Sequence, residues 1–188
     1  MTVGVLALQG DFREHIEMLA RLGVTAVEVR QPKHLAQVER LIIPGGESTT
    51  IGKLLARFAL EVPLAARIAA GMPVWGTCAG AILLAREIAA GRPGQMSLAS
   101  VDIVAQRNAF GSQLDSFETQ LTFAGQQPAH AAVFIRAPVL SEPGPDVQVL
   151  ARLDDDRIVA AQQGRVLLTC FHPELTRDDR VHQYFLAL

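Results

Sequence analysis

Lysine is nearly absent from this chain. Lys33 and Lys53 stand alone among 188 residues, and 17 basic residues against 19 acidic ones leave a formal charge of -2. No stripe of Lys and Arg forms, so a nucleic-acid surface is not expected. Cysteine is as scarce. Cys78 and Cys170 are the full complement, too few for a disulfide framework in a chain this long, and a reducing cytoplasm is the expected compartment. No apolar run reaches the roughly 18 residues a membrane span requires. The opening MTVGVLALQG has neither a basic n-region nor an A-x-A cleavage pattern and reads as a strand, not a signal peptide. HExxH, CxxC and carboxylate clusters at metal-ligand spacing are also missing, so no metal and no cofactor are expected.

What is present is apolar and punctuated. Hydrophobic residues make up 49% of the chain and charged ones 19%, below the usual quarter or so, so a core of good size can be buried. The length fits a single domain over residues 1–188. In the first half, short apolar runs alternate with helical patterns. VGVLAL (3–8), TAVEVR (25–30), RLIIPGG (40–46) and MPVWGT (72–77) read as strands. DFREHIEMLARLG (11–23), with Asp11 as N-cap and Gly23 as stop, reads as a helix, as do STTIGKLLARF (48–58), capped near Ser48 or Thr49, a segment near 61–70, and AGAILLAREIA (79–89). This alternation predicts an α/β fold, a three-layer sandwich with a mostly parallel central sheet. The second half holds short strand-like runs joined by turns, some forming antiparallel pairs. GRPGQ (91–95) and SEPGPD (141–146) have surface-loop composition, and DDRVHQYFLAL (178–188) reads as a closing helix.

The stretch VWGTCAG (74–80) carries the strongest chemical signal. A nucleophile flanked at two residues on either side by glycine, between a strand and a helix, is the pattern of a nucleophile elbow. The turn is so sharp that Gly76 and Gly80 must lack bulk. It sets Cys78 at the carboxyl end of the sheet and at a helix N-terminus, and leaves the N–H of Ala79 free to stabilise an oxyanion. A cysteine nucleophile needs a base, and the base needs an orienter. Of His15, His34, His130, His172 and His182, only His172 ends an apolar run, RVLLTCFHPE (165–174). Glu174 follows two residues on and, in an extended segment, points the same way. The expected triad is Cys78, His172 and Glu174. Cys170, mid-strand among apolar residues, reads as an inert thiol. His15 is ambiguous, and His34, His130 and His182 read as surface or core-edge residues.

IIPGGESTTIGKLL (42–55) is not a phosphate loop. Counting back from Gly52-Lys53 puts Glu47 where a Walker A glycine must stand, and Leu54 replaces the hydroxyl. The stretch reads as a strand-end turn at the same edge as the elbow, where Gly45 or Gly46 supplies a second oxyanion donor and Glu47 or Ser48 binds a polar substrate. Arg107 and Arg136 interrupt apolar surroundings. A substrate carboxylate or a structural salt bridge is the partner expected for each.

Taken in order, GVLALQGDFREH (4–15), PGGESTT (44–50), GTCAGAILLA (76–85), RNAFGSQLDSFE (107–118), FIRAP (134–138) and FHPELT (171–176) resemble the glutaminase subunits of pyridoxal 5'-phosphate synthase, a class I glutamine amidotransferase family. The resemblance spans nearly the whole chain. It implies hydrolysis of L-glutamine to glutamate and ammonia by Cys78, His172 and Glu174, with Gly46, Glu47, Ser48, Arg107, Ile135 and Arg136 at the glutamine site and Gly45, Gly46 and Ala79 at the oxyanion hole. It also implies a (β/α)8-barrel synthase partner that consumes the ammonia, and no cofactor on this chain. Ser112 departs from the family's usual arginine.

Overall fold

The computed structural model describes residues 1–91, 94–107, 109 and 116–188. Arg92 and Pro93 of the loop expected at 91–95, and Asn108 and residues 110–115 of the RNAFGSQLDSFE motif, lie outside the described residues, Ser112 among them.

The first half runs β1 (Thr2–Leu6), α1 (Phe12–Arg21), β2 (Thr25–Val29), α2 (Pro32–Leu35), β3 (Arg40–Ile43), α3 (Ser48–Arg57), α4 (Glu61–Ala69), β4 (Val74–Thr77) and α5 (Ala79–Leu84). The second half runs β5 (Ala85–Ala89), β6 (Val101–Gln106), β7 (Ser116–Leu121), β8 (His130–Ile135), β9 (Val139–Ser141), β10 (Gln148–Arg152), β11 (Ile158–Gln163) and β12 (Val166–Thr169). A 3-10 turn (Pro173–Leu175) and α6 (Arg180–Ala187) follow.

One sheet runs in the order β2-β1-β3-β4-β12-β11-β9-β6-β5, with β10 paired on β11, and β7 and β8 form a separate antiparallel pair. Strands β2, β1, β3, β4 and β12 are mutually parallel. Strands β11, β9 and β6 then pair antiparallel. The fold is α/β with a mostly parallel sheet and antiparallel strands in the C-terminal half, as the patterning predicts. β12 arrives late in the chain yet lies beside β4, with Leu168 opposite Gly76 and Thr169 opposite Thr77. All four of its residues, VLLT, are buried, as a strand covered on both faces must be. Each of its large apolar side chains contributes about 1.5–3 kcal/mol by leaving water.

Neighbouring strand residues point to opposite faces, and β4 shows what covers each. Trp75 packs edge-on against His15 of α1 and His182 of α6, with ring centroids 5.3 and 4.7 Å away. Gly76 faces the other way, against the start of α5. Helices therefore lie on both sides of the sheet, which makes the three layers.

The structure corrects several local expectations. The helix predicted over 79–89 stops at Leu84, and Ala85–Ala89 becomes β5, parallel to β6. AREIA has helical propensity, but pairing along the sheet overrides it. The short helix α2 begins at Pro32, a position where proline needs no N–H. Asp11 occupies the cap position of α1 but makes no side-chain cap bond. At α3 the cap is Glu47, one residue earlier than expected, and its carboxylate accepts from the N–H groups of Thr49 and Thr50. His130 and His182 are buried, at 1% and 0% exposure, rather than at the surface or the core edge.

Candidate active site

Cys78 is the one residue between β4 and α5, and its backbone is left-handed at φ 47° and ψ -101°. Such a conformation costs about 1–3 kcal/mol outside glycine and persists only where the surroundings fix it. They do so here. The Cys78 N–H donates to the Thr169 carbonyl of β12 at 2.8 Å, and the Ile82 N–H donates to the Cys78 carbonyl at 3.2 Å. A Cβ on Gly76 would collide with the backbone of Gly80, and one on Gly80 would collide with the carbonyl of Ile43. Both glycines of the elbow are thus required by close approach. The Cys78 N–H is therefore not a free donor at the elbow.

His172 stands three residues past β12. Its N–H donates to the Val133 carbonyl of β8 at 2.8 Å. Its Nδ1 lies 2.7 Å from Glu174 Oε1, and Glu174 is almost fully buried. The expected pair therefore forms, but by a different route. Glu174 is in the 3-10 turn Pro173–Leu175, and His172 has φ -108° and ψ 84°. The turn, not an extended segment, folds the carboxylate back under the imidazole. With Nδ1 held by Glu174, Nε2 is left for Cys78. Burial works against the imidazolium, but hydrogen bonds with Cys78 and Glu174 outweigh it and raise the His172 pKa to about 10. Burial raises the Glu174 pKa, and His172 opposes that rise. Asp11 Oδ2 is a further carboxylate oxygen 3.6 Å from His172 Nδ1. Asp11, His172 and Glu174 form the one described cluster whose donor atoms could hold a metal ion, and two of those atoms are already bonded to each other.

These groups open into a cavity of about 570 Å³ lined by Gln9, Asp11, Gly46, Glu47, Ser48, Cys78, Ala79, Ile82, Arg107, Ile135, Arg136 and His172. All the expected substrate-binding residues are on that wall. Gly45 sits just behind it, against His172, and its carbonyl accepts from the Asp11 N–H at 3.1 Å. The Glu47 N–H donates to Gln9 Oε1 at 2.7 Å. Arg107 takes the salt-bridge alternative: it donates to Glu47 Oε1 at 3.1 Å and to Gln95 Oε1 at 2.9 Å, while Gln95 donates to Ser48 Oγ at 3.1 Å. That ring fixes the Gly-Gly loop against the segment carrying Arg107. The Cys78 thiol donates weakly to the Ile135 carbonyl at 3.9 Å. Arg136 is exposed, with φ 42°. Cys170 is fully buried and its pKa is raised well above the usual thiol range, first by burial and then by Cys78. It stays an inert thiol.

Sequence reasoning missed Gln9, Ile82 and Gln95, and it assigned Asp11 only a capping role. It also missed a buried layer behind Glu174. His15 Nδ1 is 3.0 Å from His182 Nε2, and His15 Nε2 is 3.3 Å from Thr77 Oγ1 and 3.5 Å from Glu174 Oε2. Two histidines 167 positions apart, each on an ordinary-looking helix, give no local signal.

Residues 5–188 match the model of the SNO glutamine amidotransferase family. The chain belongs to that family. Among curated relatives, the pyridoxal 5'-phosphate synthase subunit PdxT of Roseiflexus sp. (strain RS-1) is 66% identical over 190 residues, covering 100% of both chains. The protein of the same name from Herpetosiphon aurantiacus is 63% identical over 191 residues, again covering 100% of both. A solved structure described as a glutamine amidotransferase superposes with a TM-score of 0.93 at 53% identity, covering 98% of this chain and 97% of that one. A putative GMP synthase component from Thermoplasma acidophilum, at TM-score 0.66 and 13% identity over 100% of this chain and 92% of that one, shares the fold alone. SNO amidotransferase membership thus rests on full-length matches.

Proposed function

We infer that this chain is the glutaminase of a pyridoxal 5'-phosphate synthase: it hydrolyses L-glutamine to L-glutamate and ammonia, and the ammonia passes to a synthase partner. The observation that carries the reading is Cys78 on its elbow, facing an imidazole held at 2.7 Å by the buried Glu174. The full-length likeness to PdxT proteins supports both the substrate and the partner. The family match over residues 5–188 supports treating the chain as one amidotransferase domain. Among the described residues no helix is long and apolar enough to cross a membrane, and the cytoplasm is the compartment proposed.

The chemistry follows from the geometry. His172 holds the proton given up by Cys78, and the thiolate attacks the side-chain amide carbon of glutamine. The N–H of Ala79 and those of the Gly45–Gly46 loop receive the developing oxyanion. His172 then protonates the nitrogen as the C–N bond breaks, and ammonia leaves a thioester on Cys78. Water, deprotonated by His172, attacks the thioester and releases glutamate. Glu174 holds the imidazole and balances its charge throughout. Glu47, Ser48, Arg107, Ile135 and Arg136 are proposed to seat the amino-acid end of glutamine, with Arg107 and Arg136 offering cations to its carboxylate.

The partner proposed is a (β/α)8-barrel that joins ammonia to a pentose phosphate and a triose phosphate. Ammonia lost to water is wasted, so the site is proposed to assemble fully only against that partner, by rearrangement of the Gly45–Gly46 loop. The present bonds of that loop to Asp11 and Gln9 are what must change. The deciding experiment measures glutamate and ammonia release by the chain alone and with the synthase added. Strong stimulation is expected. High activity alone, unaltered by the partner, would refute the coupling, and no activity in either case would refute the glutaminase reading.

A further inference from the structure

Glu174 uses only half of its carboxylate in the triad. Oε1 meets His172. Oε2 is buried and has no hydrogen bond of ordinary length among the described residues. A buried anionic oxygen left unpaired is costly. Nε2 of His15 lies 3.5 Å from it, and both side chains are fully enclosed.

We propose that His15 is a positioning residue for the reaction: it donates from Nε2 to the second oxygen of Glu174, and His182 locks it in the tautomer that can do so. This rests on the glutaminase reading of the same site.

The tautomers follow from what each nitrogen faces. Suppose His15 carried its proton on Nδ1. It would donate to His182 Nε2, at 3.0 Å, and its bare Nε2 could accept from the Thr77 hydroxyl at 3.3 Å but would turn a lone pair toward the carboxylate of Glu174 and give it no donor. His182 would then carry its proton on Nδ1, which has no partner among the described residues, leaving a buried donor unmet. Reversing both removes both faults. His182 donates from Nε2 to His15 Nδ1, and His15 donates from Nε2 into the gap shared by Thr77 Oγ1 and Glu174 Oε2, 3.3 and 3.5 Å away. The unpaired atom is then a lone pair on His182, and the carboxylate gains a donor. Contacts this long in a free enzyme tighten in the reacting complex. The elements agree: α1 brings His15, α6 brings His182, and β4 brings Thr77 and the Trp75 ring packed against both imidazoles.

Both histidines must be neutral for this chain of donors, and burial lowers the pKa of each, His182 to about 3. The charged and titratable groups around the chain are His172 and Asp11 at the Glu174 end and Arg21 beside His182. Without the His15 donor, Glu174 holds a proton more readily, and activity that needs its carboxylate ionised is lost at a higher pH on the acid side.

The test has two arms. In the wild-type chain, long-range proton–nitrogen NMR correlations report the tautomers directly, and Nε2–H on both His15 and His182 is expected. A proton on Nδ1 of His15 would overturn the proposal whatever any variant does. In the second arm, His15→Phe and His15→Gln are assayed with the synthase partner. Removing a hydrogen bond to a charged group predicts a kcat lower by about 10- to 100-fold for His15→Phe, an unaltered KM for glutamine, and an acid limb of kcat/KM displaced upward. Glutamine keeps an N–H donor and should restore kcat to within about threefold. A folded His15→Phe with wild-type kcat and acid limb, or a His15→Gln as slow as His15→Phe, would overturn it. If the wild-type complex fails to turn over glutamine, the glutaminase reading falls and the role with it, and the tautomers still judge the hydrogen bond by itself.

Discussion

Gly45 and His172 touch so closely that no side chain fits between them: a Cβ on Gly45 would collide with Cε1 of the imidazole and sit 3.0 Å from its Nδ1. The Gly-Gly turn thus acts as the wall against which the His172 imidazole rests. Gly45→Ala should push the ring off Glu174. A kcat for glutamine lower by about 100-fold or more is expected, with a circular dichroism spectrum like wild type. Normal turnover would show that the ring has room to give.

Cys78→Ala removes the proposed nucleophile and leaves the fold. Glutamine hydrolysis should fall by at least about a thousandfold, measured as glutamate released with the partner present. Activity within about tenfold of wild type would end the assignment of Cys78 as nucleophile.

Glu174→Gln keeps the shape of the orienting group and removes its charge. The imidazolium loses its counter-ion, so kcat should fall by about 10²- to 10⁴-fold with KM little altered. Steady-state kinetics on the complex separate the two constants. A change confined to KM would move Glu174 from the triad to substrate binding.

The buried histidines make a prediction about acid stability. The folded pKa of His182 is depressed to about 3 from 6.5. Its contribution is fully present above about pH 6.5 and is lost as pH falls toward 3, because the unfolded chain binds the extra proton. Between about pH 6 and 4, wild-type stability should fall more steeply than that of His182→Phe, by about 1.4 kcal/mol per pH unit. Urea unfolding at a series of pH values reads the slopes. Equal slopes would mean His182 is charged in the folded chain.

How much of this is legible in the sequence depends on distance along the chain. The elbow can be read from VWGTCAG because its constraint is local: Gly76 and Gly80 are there for each other's backbone and for Ile43. The His172–Glu174 pair can be read as a pair, since they are two residues apart, but its route cannot, because Pro173 starts a 3-10 turn in place of the expected extended segment. AREIA (85–89) reads as helix because only β6, its partner further along the chain, makes it a strand. Arg107 stands out as a site residue, but the Glu47–Arg107–Gln95–Ser48 ring joins three separate segments that no spacing connects. His15 and His182 are the least legible, for the same reason carried furthest.

The place of β12 in the sheet bears on how the protein is made. The proposed nucleophile is translated with β4, but the strand that holds its backbone, and the proposed base behind it, arrive about half a chain later. A growing chain on the ribosome therefore carries Cys78 with no His172 to use it, and it cannot squander glutamine before β12 and His172 have been made. Over the same interval β4 has one hydrogen-bonding edge unmatched, in the middle of what will be the core. Unpaired edges of this kind invite association with other chains. Nascent chains released before β12 should be silent toward glutamine and prone to aggregate, so that one late strand both completes the catalyst and closes the sheet.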